Sequence, residues 1–363
     1  MFSKQDHSFM ARALELGRLG CATSQPNPSV GCVLAKDGKI VGEGWHERAG
    51  EGHAEANALR SAGGAAKDAT AYVTLEPCSH QGRTPPCSDA LVEAGLKRVV
   101  FSVEDPSPKV SGDGAKRLID AGIEVQSGLM EVEARELHRG FISRFERNRP
   151  WFLTKVAASL DGKTALANGV SQWITSAPAR TYVHRLRSRS CAVLTGIDTV
   201  LLDDASLTVR HVDVTRQPSR VVLDTHLRLP LTAKMLGEPA PVLVFHSSDD
   251  VDKIAKLEEL GSTLIKVAKS GNHLDIREVA KTLCHFEIND VMVEAGATLN
   301  AALLQNKLID EFVFFMAPSL LGGSGRNMFA LPEFESLSSR VNLNIDRVRQ
   351  VGPDLLIRGG VAY

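Results

Sequence analysis

The sequence predicts an α/β protein of two domains. Segments with the apolar alternation of strands are interleaved with segments of helical periodicity along nearly the whole chain, and this order favours parallel or mixed sheets with helices on both faces. The chain of 363 residues also exceeds what one ordinary hydrophobic core organises. A charged stretch at 144–149 is stopped by Pro150, which is typical of a domain boundary. We therefore expect domains of residues 1–147 and 150–363.

In the first half, periodicity and turn residues predict each element. Residues 5–19 place Phe9 and Ala13 on one helical face. Asp37-Gly38 between two apolar runs is the strongest short-range signal for a hairpin. The expected helices are 5–19, 53–61, one beginning at Cys87, 113–121 and 131–147, and the expected strands are 30–35, 39–44, 70–75, 98–103 and 123–126.

The second half restarts with an apolar strand at 151–158 and then repeats the alternation. Its tail contains two strand-like segments, 343–349 and 354–358, which predict a closing antiparallel pair. The other expected strands are 190–195, 219–224, 241–246, 262–267, 290–294 and 310–316, and the expected helices are 177–189, 250–260, 274–286 and 296–306.

The composition excludes several classes of protein. Lys plus Arg number 42 against 43 Asp plus Glu, so the basic footprint of a nucleic-acid-binding protein is missing. No apolar run approaches the ~20 residues of a membrane span, and we expect no export or transit peptide at the N-terminus. Six cysteines are ordinary usage for this length. We therefore expect reduced thiols and a cytoplasmic location.

His53, Cys78 and Cys87 form the most informative group of side chains in the sequence. One imidazole and two thiols are the ligands of a zinc ion that keeps one coordination position open. Glu55 lies two residues after His53, and a carboxylate beside such a metal can activate water. In a regular helix the two side chains would point about 200° apart. They can share a pocket only if His53 lies in the irregular first turn of its helix.

This pattern indicates a hydrolytic deaminase. The deaminase signature is H-x-E followed by P-C-x-x-C, whereas here eight residues separate Cys78 from Cys87. The intervening loop at 79–86 could bulge away from the metal and reach the substrate. In the expected reaction, Glu55 takes a proton from the activated water and passes it on so that ammonia can leave.

Other interpretations of the same residues remain open. A structural zinc ion would need a fourth ligand, which His80 or His46 could supply. A disulfide between Cys78 and Cys87 conflicts with a reducing compartment. Buried core thiols alone would leave His53 unexplained.

Three motifs resemble the deaminase domain of the bifunctional riboflavin-biosynthesis deaminase/reductase family: NPSVG at 27–31, HAE at 53–55 and PCSHQGRTPPC at 77–87. The resemblance implies a cytidine-deaminase-like three-layer fold with one zinc ion per chain, bound by His53, Cys78 and Cys87, and with Glu55 as the proton shuttle. The implied reaction is deamination of 2,5-diamino-6-ribosylamino-4(3H)-pyrimidinone 5′-phosphate. The residues implied to hold the pyrimidine and its phosphate are Asn27, His46 and Arg83.

The second half resembles the reductase domain of the same family through KVAASLDG at 155–162, SQWIT at 171–175, DDASLTVR at 203–210 and VEAG at 293–296. The resemblance implies a dihydrofolate-reductase-like fold that uses NADPH to reduce the ribosyl group to ribityl. Free N–H groups at a helix N-terminus near Gly296 could bind phosphate. The implied NADPH-binding residues are Ala157, Trp173, Thr199, Asp203, Gly296, Ala297, Thr298, Leu299, Asn300, Ala301 and Ala302. The implied substrate-binding residues are Ser171, Arg187, Leu207, Arg210 and Glu294.

Two rival functions belong to other classes. One is a nucleoside or tRNA deaminase with an accessory domain, against which the neutral charge and the long inter-cysteine loop count. The other is a zinc-stapled binding module, which predicts a closed four-ligand site and unfolding on metal loss. We expect small phosphorylated pyrimidines as partners, with neither nucleic acid nor membrane. The apolar-rich tail at 343–358 favours a homodimer or higher homo-oligomer.

Overall fold

The structure is a computed structural model that describes residues 1–81, 85–108 and 110–363. The chain forms two compact units, Met1–Asn148 and Arg149–Tyr363. Among the described residues, no helix is both long and apolar enough to cross a membrane.

The first unit is a mixed five-stranded sheet with the strand order β2-β1-β3-β4-β5. β1 runs antiparallel to β2 and to β3, whereas β3, β4 and β5 are parallel. The elements are α1 Lys4–Leu19, β1 Gly31–Lys36, β2 Lys39–Trp45, α2 Ala54–Ala62, β3 Thr70–Val73, α3 Cys87–Glu93, β4 Arg98–Phe101, α4 Asp113–Asp120, β5 Glu124–Ser127, α5 Glu131–Leu137 and α6 Arg139–Glu146.

Alternating residues of β1 show how this sheet is covered on both faces. Val33 packs in one apolar cluster with residues of α1 and α6, whereas Leu34 packs in another with residues of α2, α3 and α4. Successive strand side chains point to opposite faces, so the sheet is the middle of three layers. The three-layer α/β fold expected for the first domain is confirmed.

Two local predictions in this unit have different outcomes. The hairpin at Asp37-Gly38 is confirmed, since both residues have positive φ, 51° and 73°, as a tight two-residue turn requires. The single helix expected over 131–147 is wrong, because it breaks into α5 and α6 at His138. His138 is buried, and its Nε2 lies 3.1 Å from the hydroxyl of Thr74. The ring therefore contacts Thr74 at the end of β3, at the residue that separates α5 from α6.

The second unit is a nine-stranded sheet with the order β11-β10-β9-β8-β14-β6-β15-β18-β17, accompanied by two two-stranded ribbons. The seven strands from β11 to β15 in this order are parallel, and β18 runs antiparallel to both β15 and β17. The elements are β6 Trp151–Ser159, β7 Lys163–Ala165, α7 Ala177–Arg189, β8 Ala192–Gly196, α8 Ile197–Asp203, β9 Ser219–Leu223, β10 Val242–His246, α9 Val251–Glu259, β11 Ser262–Lys266, β12 Lys269–Ser270, β13 His273–Leu274, α10 Ile276–His285, β14 Asp290–Val293, α11 Ala297–Gln305, β15 Glu311–Ala317, β16 Arg326–Asn327, β17 Asn342–Val351 and β18 Asp354–Ala362.

This large sheet is also buried on both faces. Phe245 and Val244, neighbours on β10, belong to different apolar clusters. The parallel order places the carboxyl ends of β8 and β14 side by side, and ligands of open α/β sheets bind outside such strand ends. The predicted closing antiparallel pair is confirmed as β17 and β18. Helix α8 was not predicted, because its seven residues are too few for a distinct helical period.

Candidate metal centre and reductase site

His53, Cys78 and Cys87 converge at one point of the first unit. Nδ1 of His53 lies 3.6 Å from Sγ of Cys78 and 3.3 Å from Sγ of Cys87. The three candidate ligand atoms all lie within 4.8 Å of one another. The sequence separates these residues by up to 34 positions, so the fold of the unit assembles the cluster.

The start of α2 explains how His53 and Glu55 share this site. His53 is the N-cap residue of α2 and has an extended backbone, with φ −70° and ψ 167°. Its side chain is therefore free of the 100° helical rotation that would separate it from Glu55. Glu55 lies in the first turn of the helix and is buried. The requirement for an irregular first turn at His53 is confirmed.

The pKa values of the two thiols are shifted in opposite directions. The Cys87 side chain hydrogen bonds to Cys78, and the backbone N–H of Cys87 donates to Sγ of Cys78 at 3.3 Å. These bonds, with one from His53, lower the pKa of Cys78 to about 4, although burial opposes the change. The pKa of Cys87 is raised, first by its hydrogen bond to Cys78 and then by burial. The cluster therefore stabilises a thiolate, which is the form of cysteine that binds metals.

Glu55 lies beside the three candidate ligands, but it is not one of them. Burial raises the pKa of its carboxyl group to about 7, and the charge of Cys78 adds to this effect. Its carboxylate oxygens do not belong to the cluster of candidate ligand atoms within the described part of the chain. Glu55 is therefore placed to exchange protons beside the cluster and need not coordinate a metal.

The cluster has the dimensions of a zinc site. With Zn–S bonds of about 2.3 Å and Zn–N bonds of about 2.05 Å, a tetrahedron sets each sulfur about 3.6 Å from the nitrogen. The observed separations are 3.6 Å and 3.3 Å. Over residues 1–81, 85–108 and 110–363, no fourth His, Cys, Asp or Glu joins the three. This arrangement favours an open catalytic site over a closed structural one.

His46 and Asn27 form a pair at the edge of this cluster. The Asn27 amide nitrogen lies 3.1 Å from Nε2 of His46, and Nδ1 of His46 lies 3.2 Å from the carbonyl oxygen of Gly52. The rings of His46 and His53 meet edge to face, with centroids 5.2 Å apart. Both nitrogens of His46 have partners, so His46 is poorly suited to close a metal site. Arg83, the expected phosphate ligand, lies outside the described residues.

Sequence reasoning missed Glu76, although it directly precedes the Pro77-Cys78 motif. Its buried carboxylate accepts hydrogen bonds from the backbone N–H groups of Asp105, Gly112 and Ala115 at 3.2, 3.0 and 3.0 Å. These bonds attach the segment after β4 and the start of α4 to the chain that carries Cys78. A carboxylate directly before the Pro77-Cys78 motif is the sequence signal that could have identified it.

In the second unit, Glu294 is the centre of a buried charge cluster. Nε of Arg187 donates to one carboxylate oxygen at 2.5 Å, and Nη2 donates to the other at 3.1 Å. Nζ of Lys155 lies 3.5 Å from the oxygen that Nη2 binds. Burial alone would raise the pKa of Glu294, but the charges of Arg187 and Lys155 outweigh it and lower the pKa to about 2. The structure thus joins two expected substrate residues, Arg187 and Glu294.

The third guanidinium nitrogen of Arg187 links this cluster to the segment that contains Leu207 and Arg210. Nη1 of Arg187 donates to the carbonyl oxygen of Thr208 at 2.6 Å. Arg210 is exposed, and its Nη1 lies 3.3 Å from the Thr208 hydroxyl. Arg187, Leu207, Arg210 and Glu294, four of the expected substrate residues, therefore lie together. Among the residues that the structure describes, no hydrogen bond links Ser171, the fifth, to them.

Most of the expected NADPH residues lie on the two helices that follow the carboxyl ends of β8 and β14. Thr199 and Asp203 are on α8, after β8, and residues 296–302 begin α11, after β14. A Cβ built on Gly196 would lie 3.7 Å from Leu299, so these two helix starts are adjacent. Ala157 lies on β6. Trp173 is exposed, with the Arg180 guanidinium 4.5 Å from its ring centre.

The start of α11 suits a phosphate group. Gly296 is the N-cap and has no side chain to bond the first N–H groups of the helix, and within the described part of the chain no capping hydrogen bond to them is found. A Cβ at Gly296 would meet no atom within 4 Å, so there is open space beside the backbone. Uncapped N–H groups facing open space are what an anionic cofactor uses.

Comparisons with known proteins agree with this division of chemistry. The family model described as the RibD C-terminal domain matches residues 150–357. The model described as the cytidine and deoxycytidylate deaminase zinc-binding region matches residues 3–103. Both halves of the chain therefore match families with the expected chemistry.

Full-length relatives are similar over the whole chain. The riboflavin biosynthesis protein RibD of Escherichia coli (strain K12) is 46% identical over 365 residues, covering 97% of this chain and 98% of its own. Among solved structures, Acinetobacter baumannii RibD has a TM-score of 0.92 at 44% identity, with 99% of each chain covered. The Thermotoga maritima diaminohydroxyphosphoribosylaminopyrimidine deaminase/5-amino-6-(5-phosphoribosylamino)uracil reductase has a TM-score of 0.86 at 33% identity, again over 99% of each chain.

These matches favour a deaminase joined to a reductase over a nucleoside or tRNA deaminase with an accessory domain. The zinc-binding region and the reductase domain imply zinc and a nicotinamide cofactor in general terms. The chain therefore belongs to the RibD family of bifunctional riboflavin-biosynthesis enzymes, in which a hydrolytic deaminase domain precedes an oxidoreductase domain.

Proposed function

We propose that this chain first deaminates 2,5-diamino-6-ribosylamino-4(3H)-pyrimidinone 5′-phosphate and then reduces the ribosyl group of the product to ribityl with NADPH. The observation that most directly supports this function is the convergence of His53, Cys78 and Cys87 beside the buried Glu55. The Thermotoga maritima relative, whose name gives both reactions, supports the choice of substrate. We assign the two steps to residues 1–147 and 150–363.

For the deaminase step, we assign His53, Cys78 and Cys87 as the ligands of one zinc ion per chain. When bound, zinc would supply a Lewis acid that lowers the pKa of a water molecule toward ~7. Glu55 accepts the proton of this water and donates it to the departing amine. Its burial supports this role, since bulk water is kept from the carboxyl group that carries the proton.

We assign Asn27, His46 and Arg83 to substrate binding in the deaminase. The Gly52 carbonyl accepts the Nδ1–H of His46, so Nε2 accepts a hydrogen bond from the Asn27 amide. This pairing orients the Asn27 side chain and leaves its carbonyl oxygen to accept from an amino group of the pyrimidine. Arg83 is assigned to the 5′-phosphate from its motif, because a guanidinium group fits a phosphate.

For the reductase step, we assign NADPH to the loops after β8 and β14. The first N–H groups of α11, which receive no side-chain cap from Gly296, would hold a cofactor phosphate. The exposed Trp173 ring offers a flat apolar surface for part of the cofactor. The complete assigned set is Ala157, Trp173, Thr199, Asp203, Gly296, Ala297, Thr298, Leu299, Asn300, Ala301 and Ala302.

Two of the expected substrate residues, Arg187 and Arg210, are arginines, but their surroundings separate their roles. Arg187 already binds both oxygens of Glu294, whereas Arg210 is exposed and has only the Thr208 hydroxyl as a described side-chain partner. We therefore assign the phosphate to Arg210, while Arg187 orients Glu294 towards the sugar. Ser171 and Leu207 complete the assigned substrate residues.

An ammonia-release assay on the purified protein tests both steps. The phosphorylated diaminopyrimidinone is supplied with and without a zinc chelator, and NADPH oxidation is then followed by absorbance. We expect zinc-dependent ammonia release followed by NADPH consumption. Ammonia from cytidine or tRNA but not from this substrate would contradict the proposed function.

We also propose a homodimer that forms through the edge strand β17. This strand is ten residues long and exposed along nearly its whole length, and it carries Leu343, Ile345 and Val348. A long exposed apolar edge is normally covered in natural proteins, and two-fold pairing of identical chains is the commonest way to cover it. A reducing cytoplasm remains our proposed location, because the thiols of Cys78 and Cys87 must stay reduced to bind zinc.

A further inference from the structure

The segment from Thr208 to Arg210 lies between α8 and β9 and belongs to no helix or strand. It carries Arg210, which we assign to the substrate phosphate. Leu207, just before it, has a positive φ of 56°, so the chain turns sharply there. An irregular segment of this kind cannot position Arg210 through its own backbone ladder. Something else must hold it.

Side chains from outside the segment bind four of its consecutive backbone groups. Arg187 donates to the carbonyl oxygen of Thr208 at 2.6 Å. Gln217 accepts from the N–H of Val209 at 2.7 Å and donates to its carbonyl oxygen at 3.0 Å. Nδ1 of His184 accepts from the N–H of Arg210 at 3.1 Å. The segment is thus held by three side chains in the way that a neighbouring strand would hold it.

His184 is suited to this task by its position on α7. It lies three residues before Arg187, so both side chains project from the same face of the helix, and both are buried. Burial and the charge of Arg187 lower the pKa of His184 to about 4, so the ring is neutral near pH 7. A neutral ring with its proton on Nε2 leaves Nδ1 as the acceptor that the Arg210 N–H requires.

We propose that His184 and Gln217 are positioning residues of the reductase, which hold the backbone of 208–210 so that Arg210 points at the anionic end of its substrate. This inference rests on the proposed function of Arg210. Neither residue needs to touch the substrate. Their effect is on the Michaelis constant for the phosphorylated substrate, because they orient a binding group.

The chain offers matched variants for the test. His184→Leu and His184→Asn are nearly equal in shape, but only the Asn carbonyl oxygen replaces Nδ1 as an acceptor. His246→Leu is the control, because His246 is also buried and its Nδ1 also accepts a backbone N–H, from Ser248 at 3.2 Å. Gln217→Met keeps the side-chain length and removes both bonds to Val209. Ammonia release by the same preparations normalises the amount of enzyme, and kcat of the reductase step reports whether the reductase unit is intact.

We expect His184→Leu to raise KM for the phosphorylated reductase substrate about tenfold, as when a buried N–H group loses its acceptor. His184→Asn and His246→Leu should keep KM close to the wild-type value. Gln217→Met should raise KM as His184→Leu does, and it provides the test if His184→Leu does not fold. The KM for NADPH should not change in any of these variants.

A double-mutant cycle shows whether His184 acts through Arg210. In the Arg210→Ala background, His184→Leu should add little to KM, because the group that it positions is gone. Independent, multiplying effects would overturn the inference, as would an unchanged KM in both His184→Leu and Gln217→Met. If Arg210→Ala itself leaves KM unchanged, the failure lies in the proposed function of Arg210.

Discussion

Nδ1 of His53 lies 3.3 Å from Sγ of Cys87, although 34 positions separate the two residues. His53 is the N-cap of α2 and Cys87 begins α3, so two helix starts on the same face of the sheet bring these candidate ligands together. Because Cys78 completes the group from the chain that follows β3, the site depends on the packing of three elements.

The first prediction concerns the metal. Cys87→Ser should lower the amount of bound zinc and reduce ammonia release by more than about 100-fold. Mutating even the hydrogen-bond partners of metal ligands lowers metal affinity or activity by up to about 100-fold. Cys284→Ser, on α10 in the other unit, is the matched control and should keep its zinc. Metal content by mass spectrometry and ammonia release are the measurements. A Cys87→Ser enzyme with full zinc occupancy would contradict the assigned ligands.

The second prediction separates Glu55 from the ligands. Glu55→Gln keeps the shape of the side chain but cannot shuttle a proton, so ammonia release should fall by at least about 100-fold. Bound zinc should remain, because Glu55 is outside the ligand cluster. NADPH-dependent reduction of the deaminated intermediate should also remain, because the reductase residues lie in the other unit. Loss of both activities in a folded Glu55→Gln protein would contradict the independence of the two sites.

The third prediction is a pH dependence of stability from Glu294. Its pKa is lowered from 4.5 to about 2, so the folded state favours the ionised form and gains stability above pH 4.5. That gain, about 3 kcal/mol for a shift of this size, is lost as the pH falls toward 2. Urea unfolding should therefore show wild type and Glu294→Gln converging in stability as the solution is acidified. A constant difference from pH 7 to pH 2.5 would contradict the Arg187–Glu294 pairing.

The fourth prediction concerns His138, where burial lowers the pKa from 6.5 to about 4. The unfolded chain then binds a proton at higher pH than the folded one, so stability decreases as the pH falls from 6.5 to 4. The decrease attributable to this residue is up to about 3 kcal/mol. His138→Gln keeps a polar group near Thr74 but does not titrate. Its melting temperature should therefore fall less than that of wild type between pH 7 and pH 4.5.

The fifth prediction tests the proposed dimer. Ile345→Glu and Val348→Glu place charges on the exposed face of β17, where both native side chains are more than half exposed. Each should convert the dimer to a monomer in sedimentation experiments, because a buried unpaired carboxylate disfavours association. Val251→Glu, at an even more exposed position on α9, is the control. A wild-type protein that sediments as a monomer at all concentrations would rule out the dimer.

Sequence alone predicted the α/β class and the chemistry of the candidate metal site. The prediction rests on the types of residue. One imidazole, two thiols and a nearby carboxylate are the groups that a zinc-dependent deaminase uses. Periodicity located most helices and strands, since local backbone preferences decide those. The hairpin at Asp37-Gly38 is an example, because both residues tolerate positive φ.

Tertiary structure decided what depends on distant partners. Arg187 and Glu294 are 107 positions apart. Only their contact shows that Arg187 binds the carboxylate of Glu294, whereas Arg210 contacts the Thr208 hydroxyl and is the arginine that we assign to the substrate phosphate. His138, where the predicted helix breaks, lies 3.1 Å from the hydroxyl of Thr74, which is 64 positions earlier. His184 owes its neutral ring to burial beside Arg187. Such partners leave no trace in local periodicity, because the chain brings them together only when the sheet and its helices have packed.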